Sequence, residues 1–143
     1  MSDVRQPAEI RKLHSIGDAR GQLVALEGGR NVPFEIKRVY YMTGLSPELP
    51  RGFHAHRKLQ QVAICVSGRC RFVLDDGVLR REAWLAAPDQ SLYIGNMTWR
   101  EMHDFSAGCV LLVLASEFYD EADYIRDYDT FRSLVARDQK RLR

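Results

Sequence analysis

Short apolar segments, each closed by a turn signal, fill the middle of this 143-residue chain. Several alternate apolar with polar side chains or are rich in β-branched and aromatic residues, which is typical of strands. The segments predicted as strands are residues 23–26, 34–42, 61–66, 70–74, 78–85, 92–94 and 109–115. The sequence Asp-Asp-Gly at residues 75–77 predicts a hairpin between two of them. Strands this short, with turn signals every 8–12 residues or so, predict an all-β sandwich or barrel.

The last quarter of the chain has a different composition. From Ser116 onward Asp, Glu, Tyr and Arg predominate, and residues 129–143 have the pattern of a short terminal helix. The sequence contains no repeat, linker or low-complexity segment. We therefore predict one domain over residues 1–143, an all-β barrel with a short C-terminal helix.

The balance of charge argues against nucleic acid or a membrane as a partner. The formal net charge is +2, which is too small to attract either by itself. The longest apolar run, residues 109–115, is far shorter than the ~20 residues of a membrane helix, and the N-terminus lacks the apolar core of a signal peptide. We expect a cytoplasmic protein with no nucleic-acid or membrane partner.

The cysteines indicate packing rather than cross-linking. Cys65, Cys70 and Cys109 are odd in number and have no CxxC spacing, which argues against a disulfide framework and a zinc knuckle. We predict that all of them are buried thiols in strands.

The densest group of functional side chains lies in residues 51–61. His54 and His56 are two residues apart, so on an extended backbone they point to the same face. An apolar core would not select two imidazoles with Arg51 nearby and Gln61 on the next strand. We interpret this segment as a candidate site. The alternative is that both histidines lie on the exposed rim of a loop.

This segment follows a known barrel pattern. The first motif of the cupin barrel has counterparts at Gly52, His54, His56, Gln61 and Gly68. In that register Gln61 replaces the acidic metal ligand, and Arg100, within the second motif at residues 93–101, replaces the last histidine. A neutral amide and a guanidinium do not supply the ligands that a divalent metal requires. The pattern predicts a single jelly-roll barrel of the RmlC-like cupin type, without a metal or other cofactor.

Two histidines without a metal are suited to moving protons. Imidazole titrates near neutral pH and can deprotonate a carbon beside a ketone if donors stabilise the enolate oxygen. Candidate donors, which could also bind phosphate, are Arg38, Arg51 and Arg100. Candidate stacking residues are Tyr40, Tyr93 and Trp99, although Tyr40 and Trp99 also fit a core position. These groups fit a substrate that carries a phosphate or diphosphate and a keto group.

Seven blocks of the sequence resemble the cupin-type dTDP-4-keto-6-deoxyglucose 3,4-ketoisomerases, including the WxcM-like domains. The blocks are residues 34–41, 51–58, 65–68, 74–77, 99–106, 113–116 and 119–128. The resemblance covers about residues 10–132, in the order that the family has.

The resemblance implies an isomerase that moves a keto group from C4 to C3 of the hexose without a metal or redox cofactor. Such enzymes supply deoxyamino sugars for surface polysaccharides such as the lipopolysaccharide O-antigen, for glycoproteins or for antibiotics. His54 and His56 would carry protons through an enediol(ate). The implied substrate-binding residues are Arg38, Tyr40, Arg51, Gln61, Asn96, Trp99 and Arg100. Asn96 belongs to a Gly-Asn pair at residues 95–96 where family members usually have two prolines.

The resemblance also implies a homodimer with exchanged N-terminal strands, and a dTDP-linked 4-keto-6-deoxyhexose as ligand. Two alternatives remain open at this point: a 3,5-epimerase acting on the same substrate, and a sugar-nucleotide-binding module without activity. The sequence leaves open which histidine is the base. It also leaves open whether reprotonation gives a gluco or a galacto product.

Overall fold

The computed structural model describes residues 8–141, so the first seven residues and the last two of the predicted domain lie outside the described residues. The strands in chain order are β1 (Glu9–Lys12), β2 (Ser15–Asp18), β3 (Gly21–Val24), β4 (Arg38–Met42), β5 (Arg51–His56), β6 (Gln61–Ser67), β7 (Cys70–Asp75), β8 (Arg80–Leu85), β9 (Gln90–Ile94), β10 (Trp99–His103), β11 (Val110–Ala115) and β12 (Tyr124–Ile125). A 3-10 turn (Glu121–Asp123) precedes β12, and helix α1 (Tyr128–Arg141) follows it.

Two five-stranded antiparallel sheets form the barrel. The first sheet has the order β1-β9-β6-β11-β4, and the second has the order β12-β5-β10-β7-β8. Strands β2 and β3 form a separate hairpin. The largest apolar cluster draws side chains from both sheets, among them Phe72, Leu92, Met102 and Leu111. The predicted all-β jelly-roll barrel of the cupin type is confirmed.

The first sheet is covered on both faces, which explains the continuous apolar run of β6. Ala63 and Cys65 belong to the cluster between the sheets. Val62 and Ile64 alternate with them and pack on the outer face against a cluster that includes Phe34. A strand buried on both faces needs apolar residues at every position, whereas a strand with one solvent face needs them only at alternate positions.

Helix α1 covers the outer face of the second sheet. Phe131 and Val135 are its buried residues, and they pack in a cluster with Trp99 of β10 and Ala55 of β5. The hairpin between β7 and β8 passes directly beneath the helix at Gly77, where φ is +92°. A Cβ atom at that position would lie 2.5 Å from Cγ1 of Val135, so both the turn and the close approach of the helix require glycine.

The structure shifts several predicted boundaries. The strand predicted over 34–42 begins only at Arg38, because Phe34 lies in a segment that folds back over the outer face of the first sheet. The strand predicted over 23–26 is β3, which ends at Val24, and the predicted helix begins at Tyr128. Strands β1, β2, β5, β10 and β12 were not among the predicted strands, since their residues show no clear strand pattern. No helix among residues 8–141 combines the length and apolarity needed to span a bilayer.

Candidate active site

The two histidines lie at the end of β5 and face the same side of the second sheet. Their ring centroids are 4.9 Å apart and the ring planes are nearly perpendicular. His56 is 2% exposed, whereas His54 is only partly buried. Ala55, which lies between them, points to the opposite face and packs in the cluster beneath helix α1. The alternation of the strand therefore places both imidazoles together.

An irregularity in β5 sets this alternation. Gly52 has a φ of +93° and Phe53 a φ of +58°, and the register with β10 shifts between Arg100 and Glu101. A Cβ atom at Gly52 would lie 3.0 Å from the carbonyl oxygen of Arg100, so the strands approach too closely for a side chain. Such a bulge bends a strand and changes the direction of the following side chains.

Tyr124 packs against both histidines. Strand β12 pairs with β5 so that Tyr124 lies opposite His56. Its ring centroid lies 4.4 Å from that of His56 and 5.0 Å from that of His54. The guanidinium of Arg126 lies 4.1 Å from the centroid of the tyrosine ring. We refer to His54, His56, Tyr124 and Arg100 as the histidine pocket.

Asp123 holds the turn that follows His56. Its carboxylate accepts hydrogen bonds from the backbone N–H groups of Lys58, at 2.8 Å, and Leu59, at 3.2 Å. The same carboxylate places Oδ2 3.3 Å from Nδ1 of His56. That pair is not aligned as a hydrogen bond, and neither ring nitrogen of His56 has a hydrogen-bond partner among residues 8–141.

A buried cation lies on the other side of the histidines. Arg100 is 2% exposed and pairs across the strands with His54. It donates hydrogen bonds to the side-chain oxygen of Gln61 and, at 3.0 and 3.2 Å, to the carbonyl of Thr98. Gln61 in turn donates to the hydroxyl of Tyr40 at 2.8 Å. Burial lowers the pKa of Arg100 to about 10, so the guanidinium remains charged at neutral pH.

Arg38 adds a second positive group at the same end of the barrel. Its guanidinium lies 5.4 Å from the ring centroid of Tyr40 and 5.8 Å from that of Tyr119. The Nε atom of Arg38 is buried and has no hydrogen-bond partner among the described residues. A buried N–H without an acceptor is costly. An anion bound beside Arg38 would remove that cost.

The histidines are neutral in this environment. Burial, followed by the charge of Arg100, lowers the pKa of His54 to about 4 and that of His56 to about 2. Nδ1 of His54 lies 3.1 Å from the carbonyl oxygen of Gly52. A carbonyl can only accept, so Nδ1 carries the proton and Nε2 retains its lone pair. His54 is therefore available as a base at neutral pH.

Six of the residues assigned to the site from sequence are brought together. They are His54, His56, Arg38, Tyr40, Gln61 and Arg100. The set does not fit a divalent cation, since the amide oxygen of Gln61 is bound to Arg100, whose charge would oppose a second cation.

The side chains of three other assigned residues make no hydrogen bond, ion pair or ring contact with these six within the described residues. Trp99 faces the outer side of β10, where Nε1 donates to Glu101 at 3.0 Å and the ring packs on Tyr128 of helix α1. Asn96 donates to the carbonyl of Arg57 at 3.0 Å and ties the β9–β10 turn to the end of β5. Arg51 pairs with Met102 through the backbone of β5, and its exposed side chain makes no hydrogen bond or ion pair within residues 8–141.

Asp123 and Tyr124 were not assigned from sequence. The acidic stretch at residues 120–124 fits a solvated surface, and only the pairing of β12 with β5 brings it to the histidines. The available signal was the block at residues 119–128, which is one of the segments that resemble the family.

Comparisons with known proteins identify the family of this chain. A family described as FdtA, WxcM-like, C-terminal, matches residues 6–136. A TDP-4-oxo-6-deoxy-alpha-D-glucose-3,4-oxoisomerase from Aneurinibacillus thermoaerophilus is 55% identical over 90% of this chain and 93% of its own.

Two solved structures are also similar. The TDP-quinovose 3,4-ketoisomerase WlaRB from Campylobacter jejuni has a TM-score of 0.86 and 53% identity, over 88% of this chain and 97% of its own. The sugar 3,4-ketoisomerase QdtA from Thermoanaerobacterium thermosaccharolyticum, in complex with TDP, has a TM-score of 0.89 and 45% identity, over 92% and 96%. The chain belongs to the WxcM-like, C-terminal family that is also named FdtA.

Proposed function

We propose that this protein is a 3,4-ketoisomerase that acts on dTDP-4-keto-6-deoxyglucose and produces a dTDP-3-keto-6-deoxyhexose. The observation that carries the proposal is a pair of neutral imidazoles beside a buried guanidinium. Removal of a proton next to a ketone requires a base and a group that stabilises the oxyanion, and this arrangement supplies both. Relatives that are 55% and 53% identical bear the names of 3,4-oxoisomerase and 3,4-ketoisomerase.

His54 is the base in this proposal. Nε2 removes the proton from C3, the electron pair forms the C3–C4 double bond, and the carbonyl oxygen at C4 becomes an oxyanion. Arg100 stabilises that oxyanion because its charge is fixed in a buried site before the reaction begins. The charge of Arg100, which adds to burial in keeping His54 neutral, therefore also favours the enediolate.

Return of the protons completes the isomerisation. The oxygen at C4 takes up a proton, the hydroxyl at C3 loses one, and C4 receives a proton as the new carbonyl forms at C3. No proton is gained or lost overall. His56 relays protons between the two oxygens, since its ring nitrogens are not engaged and its ring lies 4.9 Å from that of His54. Asp123, at 3.3 Å from Nδ1, stabilises His56 while it is protonated.

The diphosphate binds at Arg38. The unpartnered Nε and the positive charge suit a phosphate oxygen, and the guanidinium lies 5.4 Å and 5.8 Å from the ring centroids of Tyr40 and Tyr119. Arg51 is exposed and available to a second phosphate oxygen. Asn96 and Trp99 support the site from outside. Asn96 holds the turn after β9 against Arg57, and Trp99 packs β10 against helix α1.

The proposal also includes a homodimer in which the β2–β3 hairpin docks on a second copy. A two-stranded hairpin on its own is only marginally stable in water. Ile16 and Leu23 of this hairpin are 60% and 58% exposed, and Tyr41 on the edge strand β4 is 69% exposed. Replacement of Ile16 with Glu should give a monomer in light scattering, whereas Val78→Glu, at a position that is 74% exposed and lies outside the β2–β3 hairpin, should not. A dimer that survives Ile16→Glu would contradict this assignment.

The cytoplasm is the proposed location. Relatives that are 55% and 53% identical are named for reactions of TDP-linked sugars, and a biosynthetic enzyme of such sugars is expected where these nucleotides are made.

Substitution of both histidines tests catalysis against simple binding. A protein with His54→Asn and His56→Asn should lose turnover of dTDP-4-keto-6-deoxyglucose and retain its affinity for dTDP in calorimetry, because Arg38 is unchanged. Retention of turnover would contradict the proposed mechanism. Wild-type protein that binds dTDP but does not turn the sugar over would indicate a binding module.

A further inference from the structure

Three cysteines converge at the end of the barrel opposite the histidine pocket. Cys65 lies on β6, Cys70 begins β7, and Cys109 immediately precedes β11. We refer to these residues as the cysteine cluster. Strand β6 starts at Gln61, beside the histidines, and reaches Cys65 four residues later, which is about 13 Å at the rise of a strand. The two sites therefore share strands but do not touch.

The three thiols lie close enough together to bind a single ion. All three sulfur atoms lie within 4.8 Å of one another, and those of Cys65 and Cys109 are 3.3 Å apart. Each cysteine is at most 2% exposed. Within residues 8–141 this is the one group of three or more histidine, cysteine or acidic side chains close enough to hold a single ion.

The surroundings limit the charge of any occupant. The cluster lies in the apolar core, with Phe105 and Leu111 as neighbours. Burial raises the pKa of Cys109 to about 12, and a hydrogen bond with Cys70 together with burial raises the pKa of Cys65. No lysine or arginine contributes to either shift. A complex that kept a net charge here would pay a large desolvation cost.

Charge balance then selects the ligand. Three thiolates around Zn²⁺ leave a net charge of −1 and require a fourth ligand, and three thiolates around Cu⁺ leave −2. A trivalent thiophilic centre with three thiolates is neutral. We propose that the cysteine cluster binds trivalent arsenic or antimony as a neutral tris-thiolate.

The binding step balances without an oxidant or reductant. For arsenite, As(OH)₃ and three Cys–SH groups give As(S–Cys)₃ and three water molecules. Three As–O and three S–H bonds break, and three As–S and three O–H bonds form. Each thiol proton leaves on a hydroxide of the arsenite as water, so the complex that remains in the core is neutral.

A thin layer separates the cluster from solvent. The turns at residues 67–69 and 106–108 cover it, and they are joined by a hydrogen bond from the N–H of Arg69 to Oγ of Ser106 at 2.8 Å. A Cβ atom at Gly68 would lie 3.0 Å from Cα of Cys109, so one turn of backbone lies directly on the cysteine. Gly68 and Arg69 are exposed. Opening of these two turns gives arsenite a short route to the thiols.

The test uses the reduced full-length protein, sodium arsenite and a phosphine reductant. After removal of excess arsenite, the intact mass of the folded protein should increase by one arsenic less three protons. X-ray absorption at the arsenic edge should show three sulfur neighbours and no oxygen. Folded protein that retains no arsenic, or a site with two sulfurs and one oxygen, would overturn the proposal. Tighter binding of Zn²⁺ than of arsenite would overturn it as well.

Single substitutions supply the matched controls. Arsenite binding should weaken by roughly 100-fold or more in each of the variants Cys65→Ser, Cys70→Ser and Cys109→Ser. Loss of a residue that only hydrogen-bonds to a metal ligand already lowers metal affinity by about 10–100-fold, and these variants lose a ligand itself. Circular dichroism establishes that each variant is folded. Equal retention of arsenic by folded variants and wild type would contradict a three-thiol site. The absorption measurement on wild-type protein stands even if a variant does not fold.

Discussion

The two ends of this barrel bury titratable side chains in opposite ways. At one end, His54 and His56 lie beside the buried charge of Arg100, and several polar atoms there have no partner among the described residues. At the other end, Cys65 and Cys109 lie among apolar side chains, and no basic residue shifts their pKa values. Burial keeps both sets of groups neutral. Only the histidine pocket adds a fixed charge that can stabilise an anion, and this difference separates a site suited to proton transfer from one that is not.

The largest effect should come from loss of the base. His54→Asn should lower kcat by about 10²–10⁴-fold, which is the usual contribution of a positioned acid–base group. The exposed His14 provides a control, since His14→Asn removes an imidazole outside the pocket. Steady-state kinetics on both variants measures the contrast. Equal rates for His54→Asn and His14→Asn would remove the assigned role of the pocket.

Removal of the buried charge should have a somewhat smaller effect. Arg100→Met should lower kcat by about 10²–10³-fold, the range found when a donor to a developing oxyanion is lost. It should also raise the pKa of His54 above about 4, because the charge of Arg100 helps to lower it. NMR titration of the histidine ring protons measures this change. A pKa of His54 that does not move would show that burial alone sets it.

Acid should destabilise the protein through the histidine pocket. The pKa values of His54 and His56 in the folded state, about 4 and about 2, lie below the ordinary value of 6.5. The unfolded chain therefore binds more protons below pH 6.5, and stability falls as the pH decreases from there, through 4 for His54 and toward 2 for His56. After allowance for the partial exposure of His54, the loss at pH 5 should be roughly 2–3 kcal/mol. Urea unfolding at a series of pH values measures this loss in wild type and in the double asparagine variant, which should not show it. The same decrease in both proteins would contradict the prediction.

Alkali should act through the cysteine cluster, with a smaller effect. The pKa of Cys109 in the folded state is raised from 9.0 to about 12. Between pH 9 and 12 the thiol ionises in the unfolded chain and stays neutral in the folded protein, so the free energy of unfolding is unaffected below pH 9 and decreases as the pH rises toward 12. At pH 10 the loss should be about 1–2 kcal/mol. Cys109→Ala should flatten this limb of the stability profile in urea unfolding and leave the acid limb unchanged. If Cys109→Ala flattened the acid limb instead, the assignment of the alkaline limb to the cysteine cluster would be contradicted.

Local patterns in the sequence predicted the parts of the site that depend on neighbouring residues. The HxH spacing places two imidazoles on one face of a strand, and the exchange of metal ligands for Gln61 and Arg100 indicates a site of a different kind. The family and the cupin fold that these motifs predicted are confirmed. Strand parity could also have separated Trp99 from Arg100, because adjacent residues in a strand face opposite sides.

Other features depend on contacts between distant segments. Asp123 and Tyr124 reach the histidines only through the pairing of β12 with β5, across more than 60 residues of sequence. The bulge at Gly52 and Phe53 has no clear sequence signal, yet it sets the direction of the histidines. The cysteine cluster is a further example, since Cys70 and Cys109 are brought together by the barrel and not by any spacing motif.

The central claim is that the histidine pocket moves a proton between C3 and C4 of the substrate. The most direct test is incubation of the protein with dTDP-4-keto-6-deoxyglucose in deuterated buffer, followed by proton NMR. We expect a 3-keto isomer that carries deuterium at C4, with coupling constants that reveal whether the product is gluco or galacto. Deuterium at C5 without a 3-keto product would indicate an epimerase and would contradict the account.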